Sequence, residues 1–228
     1  MATDRPVEAT LGRRRRAARL ILKRLTGIYP DIATALTYTD PWQLLVATVL
    51  SAQTTDDNVN RVTPVLFARW PLPEDLATAS ADELEEVVYS TGYYRQKAKS
   101  LLALAVGVVD RFGGEVPRDF DDLVSLPGVG RKTASVVLAE AWGDPAIAVD
   151  THVKRVAQRL GLTANSDPVK IERDLKELYL KQTWAWISMR FIQFGRDTCD
   201  ARKPRCWDCP LRDRCPFEPK TTQPRITT

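Results

Sequence analysis

Histidine is nearly absent: His152 is the single imidazole in a chain of 228 residues. A metal site built from clustered histidines is therefore excluded, and a histidine-dependent nucleophile triad would have to use that one residue. Cysteine is scarce as well, and all four fall between positions 199 and 215, which is not how a secreted disulfide scaffold distributes them. No uninterrupted apolar run approaches the ~18 residues that a membrane-spanning helix needs. The N-terminal region carries arginines where a signal peptide would need its apolar centre. The expectation is a soluble, cytoplasmic protein with no membrane partner. No segment shows convincing strand alternation, which leaves helix as the repeating element.

What the chain does contain is charge and helical periodicity. Its length suits one or two compact domains, and a net charge of +4 with a pI of about 8.9 fits a polyanionic partner without identifying one. Residues 1–11 lack periodicity and read as a disordered leader. From Gly12, the basic run Arg13 to Arg16 joins Leu20, Ile21, Leu22 and Leu25 in a helix ending near Gly27 and Pro30. Its charges read as a solvated face rather than a DNA contact. Asp40 and Pro41 form an N-cap and first-turn pair opening an apolar, hence buried, helix that delivers Gln53 at its polar end. A helix follows from about Asp56 to Trp70, stopped by Pro71 and Pro73. Ser80 with Glu83 reads as a capping box for the next. Tyr93 then introduces a long helix to Phe112, and Asp150 and Asp167 are N-caps of two later helices, the second reaching about Lys181; Thr183 to Phe194 forms the last.

Between Asp121 and Ala141 lies the stretch that carries most information. Leu126-Pro127-Gly128-Val129-Gly130-Arg131-Lys132-Thr133 reads as a tight turn between a short helix and one with Ala134, Val137, Leu138 and Ala141 on a single apolar face. Gly128 and Gly130 can take positive φ and let backbone N–H groups approach a ligand closely. A loop of this kind feeding a helix N-terminus can seat a phosphate, and it can equally be an ordinary helix-hairpin turn. Lys132 lies opposite the apolar face, so its amine faces away from the core. The helix dipole opposes that cation by about 0.3–1 kcal/mol, whereas a neutral amine near pH 7 needs roughly 4 kcal/mol. Desolvation and a neighbouring proton acceptor would have to supply the remainder.

Cys199, Cys206, Cys209 and Cys215 follow the spacing C-x6-C-x2-C-x5-C. Four soft ligands in one short loop suit a tetrahedral zinc or a four-iron cluster, although zinc ribbons usually pair two CxxC knuckles and this loop has one. Arg196, Arg202, Lys203, Arg205, Arg212 and Arg214 outnumber the acids around them, so the loop can meet phosphates or simply be solvated.

In chain order, SAQTTD at 51–56, LPGVGRKTA at 126–134, AVDTHV at 148–153 and the cysteine spacing resemble the endonuclease III family of DNA repair glycosylases. The resemblance extends over about residues 15 to 218. It implies an all-α fold of about ten helices in two lobes. One is a helical barrel, 34–145, with the helix-hairpin-helix at about 121–141; the other, 12–33 plus 146–228, carries a 4Fe–4S cluster on the four cysteines. Lys132 and Asp150 would face each other across a cleft as the catalytic pair. Gln53 would enter the gap left by an extruded nucleotide, and Tyr93 would stand where the family often has a wedging leucine. Gly128, Gly130, Arg131 and His152 are the further expected DNA contacts. The implied enzyme is a bifunctional glycosylase and abasic-site lyase of base excision repair. It would act, as a bacterial nucleoid-associated monomer, on oxidised pyrimidines or abasic sites in duplex DNA. Two rivals predict different residues. The adenine-mismatch branch generally lacks the hairpin lysine and carries an extra C-terminal domain, and a non-catalytic DNA-binding hairpin has no need of Lys132.

Overall fold

The computed structural model describes residues 5–223, with side chains from Leu11 onward. The described residues contain eleven α-helices, a few single 3-10 turns and no strand, so the fold is all-α, as expected. None of these helices is long and apolar enough to cross a membrane. Residues Thr34–Asp144 form one compact unit, and the described residues on either side of that span form a second. Of the expected leader, residues 1–4 lie outside the described residues. The rest is already helical, because α1 spans Arg5–Ile28 and starts before Gly12.

The Thr34–Asp144 unit is built around two helices. The first, α2 (Pro41–Leu50), begins where the Asp40 carboxylate accepts from the Gln43 N–H at 2.9 Å, with Pro41 already holding a helical φ. Leu44, Leu45, Val46, Ala47 and Leu50 are all fully buried, as a helix apolar on every side must be. After α3 (Asp56–Arg69) comes α4 (Pro73–Ala77), which the sequence reading missed. Pro73 does end the preceding periodicity, but it also sits in the first turn of α4, where its missing N–H costs nothing, and Asp75 accepts from the Leu72 N–H at 3.1 Å. The next helix, α5 (Ala81–Val88), starts at Ser80 as expected, yet no side-chain cap forms there. Its first turn is solvent-exposed, so water can serve the N–H groups that the expected capping box was to satisfy.

The second central helix is α6 (Tyr94–Phe112), which packs against α2, α4 and α5. Ala98, Leu101, Leu104, Ala105 and Val108 form its buried face at helical spacing. The short α7 (Phe120–Val124) and α8 (Arg131–Trp142) complete this unit, with α8 lying against α2.

In the other unit, α1, α9 (Thr151–Arg159), α10 (Pro168–Leu178) and α11 (Trp184–Asp197) surround a core containing Leu25, Val156, Leu175, Phe191 and Phe194. Helix α10 stops short of Lys181, which instead begins a separate 3-10 turn, and α11 runs past Phe194. Helices α9 and α11 pack closely at Gly195, where an added Cβ would come within 3.2 Å of the His152 Cβ. The arginines of α1 are less solvated than expected. Arg14 donates to the Leu162 carbonyl, Arg15 to that of Glu177, and Arg24 to that of Pro210 and to the Asp213 carboxylate. These bonds tie α1 to α10 and to the cysteine loop.

Burial along α6 sets an expectation for stability. Leu101→Ala, a truncation at a fully buried position, is expected to cost about 2–5 kcal/mol in denaturant unfolding. Val106→Ala on the exposed side of the same helix is expected to stay within about 0.5 kcal/mol. Equal losses from the two would contradict the assigned orientation of α6.

Candidate functional site

The hairpin between α7 and α8 is anchored by its apolar residues: Leu126 and Val129 are buried, and the Val129 N–H closes the turn on the Leu126 carbonyl at 3.2 Å. Arg111 on α6 steadies the approach by donating to the Ser125 carbonyl and hydroxyl. Gly128 does adopt positive φ, at 77°, and a Cβ there would sit 3.2 Å from that of Ser100. Both conditions favour glycine. Gly130 does not follow the same expectation. It has φ −89° in extended backbone and acts as the N-cap of α8. No side chain caps that end, so a glycine leaves room for an oxyanion to reach the first N–H groups of the helix.

Lys132 is exposed in the first turn of α8, while Ala134, Val137 and Leu138 are buried. The helical spacing thus turns its amine away from the core, as the sequence predicts. Arg131 is differently engaged: its guanidinium lies 4.6 Å from the centroid of Phe120, a cation–π contact that holds it against α7.

Gln53 and Tyr93 share a feature that their residue types do not suggest. They have φ of 57° and 50°, and are the non-glycine residues with positive φ among the described residues. Left-handed backbone costs an ordinary residue about 1–3 kcal/mol and persists where its surroundings over-determine it. Both side chains are exposed, Tyr93 at 68%, so neither conformation is stabilised by burying the side chain that bears it. Beneath Tyr93 lies a lysine that sequence reasoning passed over. Lys97 is buried, donates from Nζ to the Thr91 carbonyl at 2.7 Å, and has its pKa pushed down by desolvation.

In the second unit, Asp150 is the N-cap of α9. One carboxylate oxygen accepts from the N–H groups of His152 and Val153, both at 2.8 Å, and the other lies 3.2 Å from the His152 Nδ1. The carboxylate therefore has a complete structural role. Its side chain remains 16% exposed. His152 packs against Gly195 through its Cβ and ring.

The four cysteines are free and half-buried, with Cys199, Cys209 and Cys215 against the core of this unit. Burial, reinforced by the other three sulfurs, pushes the Cys209 thiol up to about 11, and burial raises Cys215 as well. Metal binding to such thiols requires their deprotonation. The Leu211 N–H points at the Cys209 sulfur at 3.4 Å and Arg159 at that of Cys199 at 3.5 Å, contacts that strengthen when the sulfur is thiolate. Among the described residues no group of three or more histidine, cysteine or carboxylate side chains stands placed to hold a metal ion. The soft four-sulfur donor set, buried on one side and supplied with N–H donors, fits an iron–sulfur cluster. Two of the nearby cations are used locally: Arg212 donates to the Cys206 carbonyl and Arg214 pairs with Asp213.

Comparison with known proteins gives this geometry a family. Residues 46–181 match the HhH-GPD superfamily of base excision DNA repair proteins, and residues 199–215 match the iron–sulfur binding domain of endonuclease III. The chain is 51% identical over 198 residues to endonuclease III of Synechocystis sp., covering 86% of this chain and 89% of that protein. It is 46% identical over 195 residues to endonuclease III of Bacillus subtilis, covering 85% and 89%. A solved structure of a trapped endonuclease III–DNA covalent intermediate superposes with a TM-score of 0.85 at 43% identity, covering 89% of this chain and 95% of that one.

The chain belongs to the endonuclease III family. It is a DNA glycosylase with abasic-site lyase activity, working in base excision repair, and its cofactor is a 4Fe–4S cluster.

Two expectations follow. Purified protein should be yellow-brown with about four irons per chain, and Cys206→Ala should lose the visible absorbance and lower the melting temperature; a colourless wild type holding one zinc would contradict the cluster. Asp150→Asn keeps an oxygen for the cap, so melting curves should show a loss of only a few tenths of a kcal/mol, against about 1 kcal/mol for Asp150→Ala. A large loss of stability in the asparagine variant would show that the carboxylate charge, and not the cap alone, holds α9.

Proposed function

We propose that Lys132 and Asp150 are the catalytic pair of this enzyme, and that its substrates are oxidised pyrimidines and abasic sites in duplex DNA. The observation that carries the assignment is the exposed Lys132 on an α8 N-terminus that no side chain caps, directly after the glycine hairpin. Support comes from the 43%-identical relative solved as a trapped covalent DNA intermediate, since lysine is a residue that forms a Schiff base with a sugar carbon.

In this reading the damaged nucleotide leaves the stack because its C1′ cannot be reached inside the duplex. Gln53 and Tyr93 occupy the gap. The neutral Lys132 amine attacks C1′, the glycosidic bond breaks, and the base departs with the bonding electrons. Opening of the sugar ring gives the imine. The oxygen of Asp150 not committed to the α9 cap accepts the lysine proton or offsets the cationic sugar. Water then takes a C2′ proton, the freed electron pair forms the C2′–C3′ double bond, and the 3′ phosphate leaves with the electrons of the C3′–O bond, which nicks the strand. The first N–H groups of α8, with Gly128 and Gly130 in the hairpin, hold a nearby phosphate, and Arg131 and His152 add contacts to the backbone. The cluster, when bound, orders the Arg- and Lys-rich loop of residues 199–215. The enzyme acts as a monomer in the bacterial cytoplasm.

Borohydride trapping on abasic DNA tests the pair. Wild type should form a covalent complex, Lys132→Ala should form none while still binding DNA, and Asp150→Asn should lower single-turnover base release by roughly 10²-fold or more. Trapping of Lys132→Ala at the wild-type rate would remove Lys132 from the mechanism.

A further inference from the structure

Asn58 is a polar side chain to which no motif assigns a role. It occupies the third position of α3, and its backbone N–H is used by the Thr55 cap. Its side-chain amide reaches outwards in two directions. Nδ2 donates to the Thr54 hydroxyl at 3.1 Å and to the Ser90 carbonyl at 2.9 Å, using both of its hydrogens. The orientation of the amide is chemically determined, since Arg61 approaches Oδ1 at 3.4 Å and a flipped group would set that oxygen against the Ser90 carbonyl.

The two acceptors identify the segments being joined. Thr54 directly follows Gln53, and Ser90 lies in the 3-10 turn Tyr89–Thr91 that leads through Gly92 to Tyr93. One amide thus links the two segments whose tips carry positive φ, and Lys97 holds the second segment from beneath through Thr91. Left-handed residues whose side chains are in solvent need such external restraint to stay populated. Independent tips would each have to be ordered when DNA binds, whereas linked tips are ordered before it arrives.

We propose that Asn58 is a positioning residue that clasps the Gln53 and Tyr93 segments into one preorganised two-pronged wedge for nucleotide extrusion. The proposal rests on the gap-filling reading of Gln53 and Tyr93 given above. It places Asn58 away from the reacting atoms, so its contribution lies in extrusion and not in the lysine chemistry. The cost of extrusion is greatest for a paired, stacked base and least where pairing is already lost. Removal of the clasp should therefore matter most for paired lesions.

The test uses Asn58→Asp in the full-length holoenzyme. Aspartate cannot donate to either acceptor, yet near the N-terminus of α3 its charge is favoured by the helix dipole, so folding is retained. Thr54→Val, which cuts only the Gln53 side, is the second variant. Expected for Asn58→Asp is base release on the order of tenfold slower from a paired lesion, as loss of two hydrogen bonds allows, with trapping on an abasic site within about twofold of wild type. The fluorescence rise of 2-aminopurine placed opposite the lesion should slow equally, and Thr54→Val should shift both readouts in the same direction. Tyr93→Ala should cost less in the Asn58→Asp background than alone, because linked residues are not additive. A neutral Asn58→Asp, or one that slows both substrates alike, would overturn the clasp while defects in Gln53→Ala and Tyr93→Ala left the gap-filling reading intact. If those two variants extrude normally, the gap-filling reading fails and the clasp fails with it.

Discussion

An α-helix begins with backbone N–H groups that it cannot satisfy itself, and this chain meets that constraint in opposite ways at its two chemically important helices. At α9 the carboxylate of Asp150 takes two of those groups on one oxygen. At α8 the corresponding residue is Gly130, which offers no side chain at all. The first helix end is satisfied by its own side chain, and the second leaves its N–H groups to water or to the phosphate proposed above. Lys132 in that uncapped turn adds a cation where the dipole is already positive, which raises the attraction for a phosphate.

A similar economy governs the exposed tips of the Thr34–Asp144 unit. The residues that the family resemblance sends into DNA are held in a backbone conformation their side chains do nothing to earn. The restraint comes instead from donors set behind them: a buried ammonium on Thr91 and an amide on Thr54 and Ser90. Burying a lysine is costly unless it is hydrogen-bonded, and here the bond formed is to the carbonyl of a residue near the strained tip.

Legibility in the sequence follows the range of the interactions concerned. Asp40, Asp150 and Asp167 were readable as caps because the bond spans two or three residues and needs no tertiary partner. The apolar faces of α8 and α9, the exposure of Lys132 and the cysteine spacing were readable for the same reason. Ser80 had the right signature and the right position, but an exposed helix end has water as an alternative. Other features depended on residues far away. Asn58 finds Ser90 across 32 positions; Lys97 is a charged residue type, and only the packing of α6 buries it. The arginines of α1 looked solvated because the carbonyls they meet are more than 140 residues distant. Gly195 resembles any helical glycine until α9 is seen against it.

The division of the chain also has a consequence in time. The Thr34–Asp144 unit is contiguous, so every residue it needs has been synthesised once Asp144 leaves the ribosome. The other unit joins α1 to helices after Pro145 and to a loop whose last sulfur is Cys215. During translation, then, the unit with the hairpin and wedge can fold first. The apolar face of α1, made before the helices it packs against, must wait for its partners.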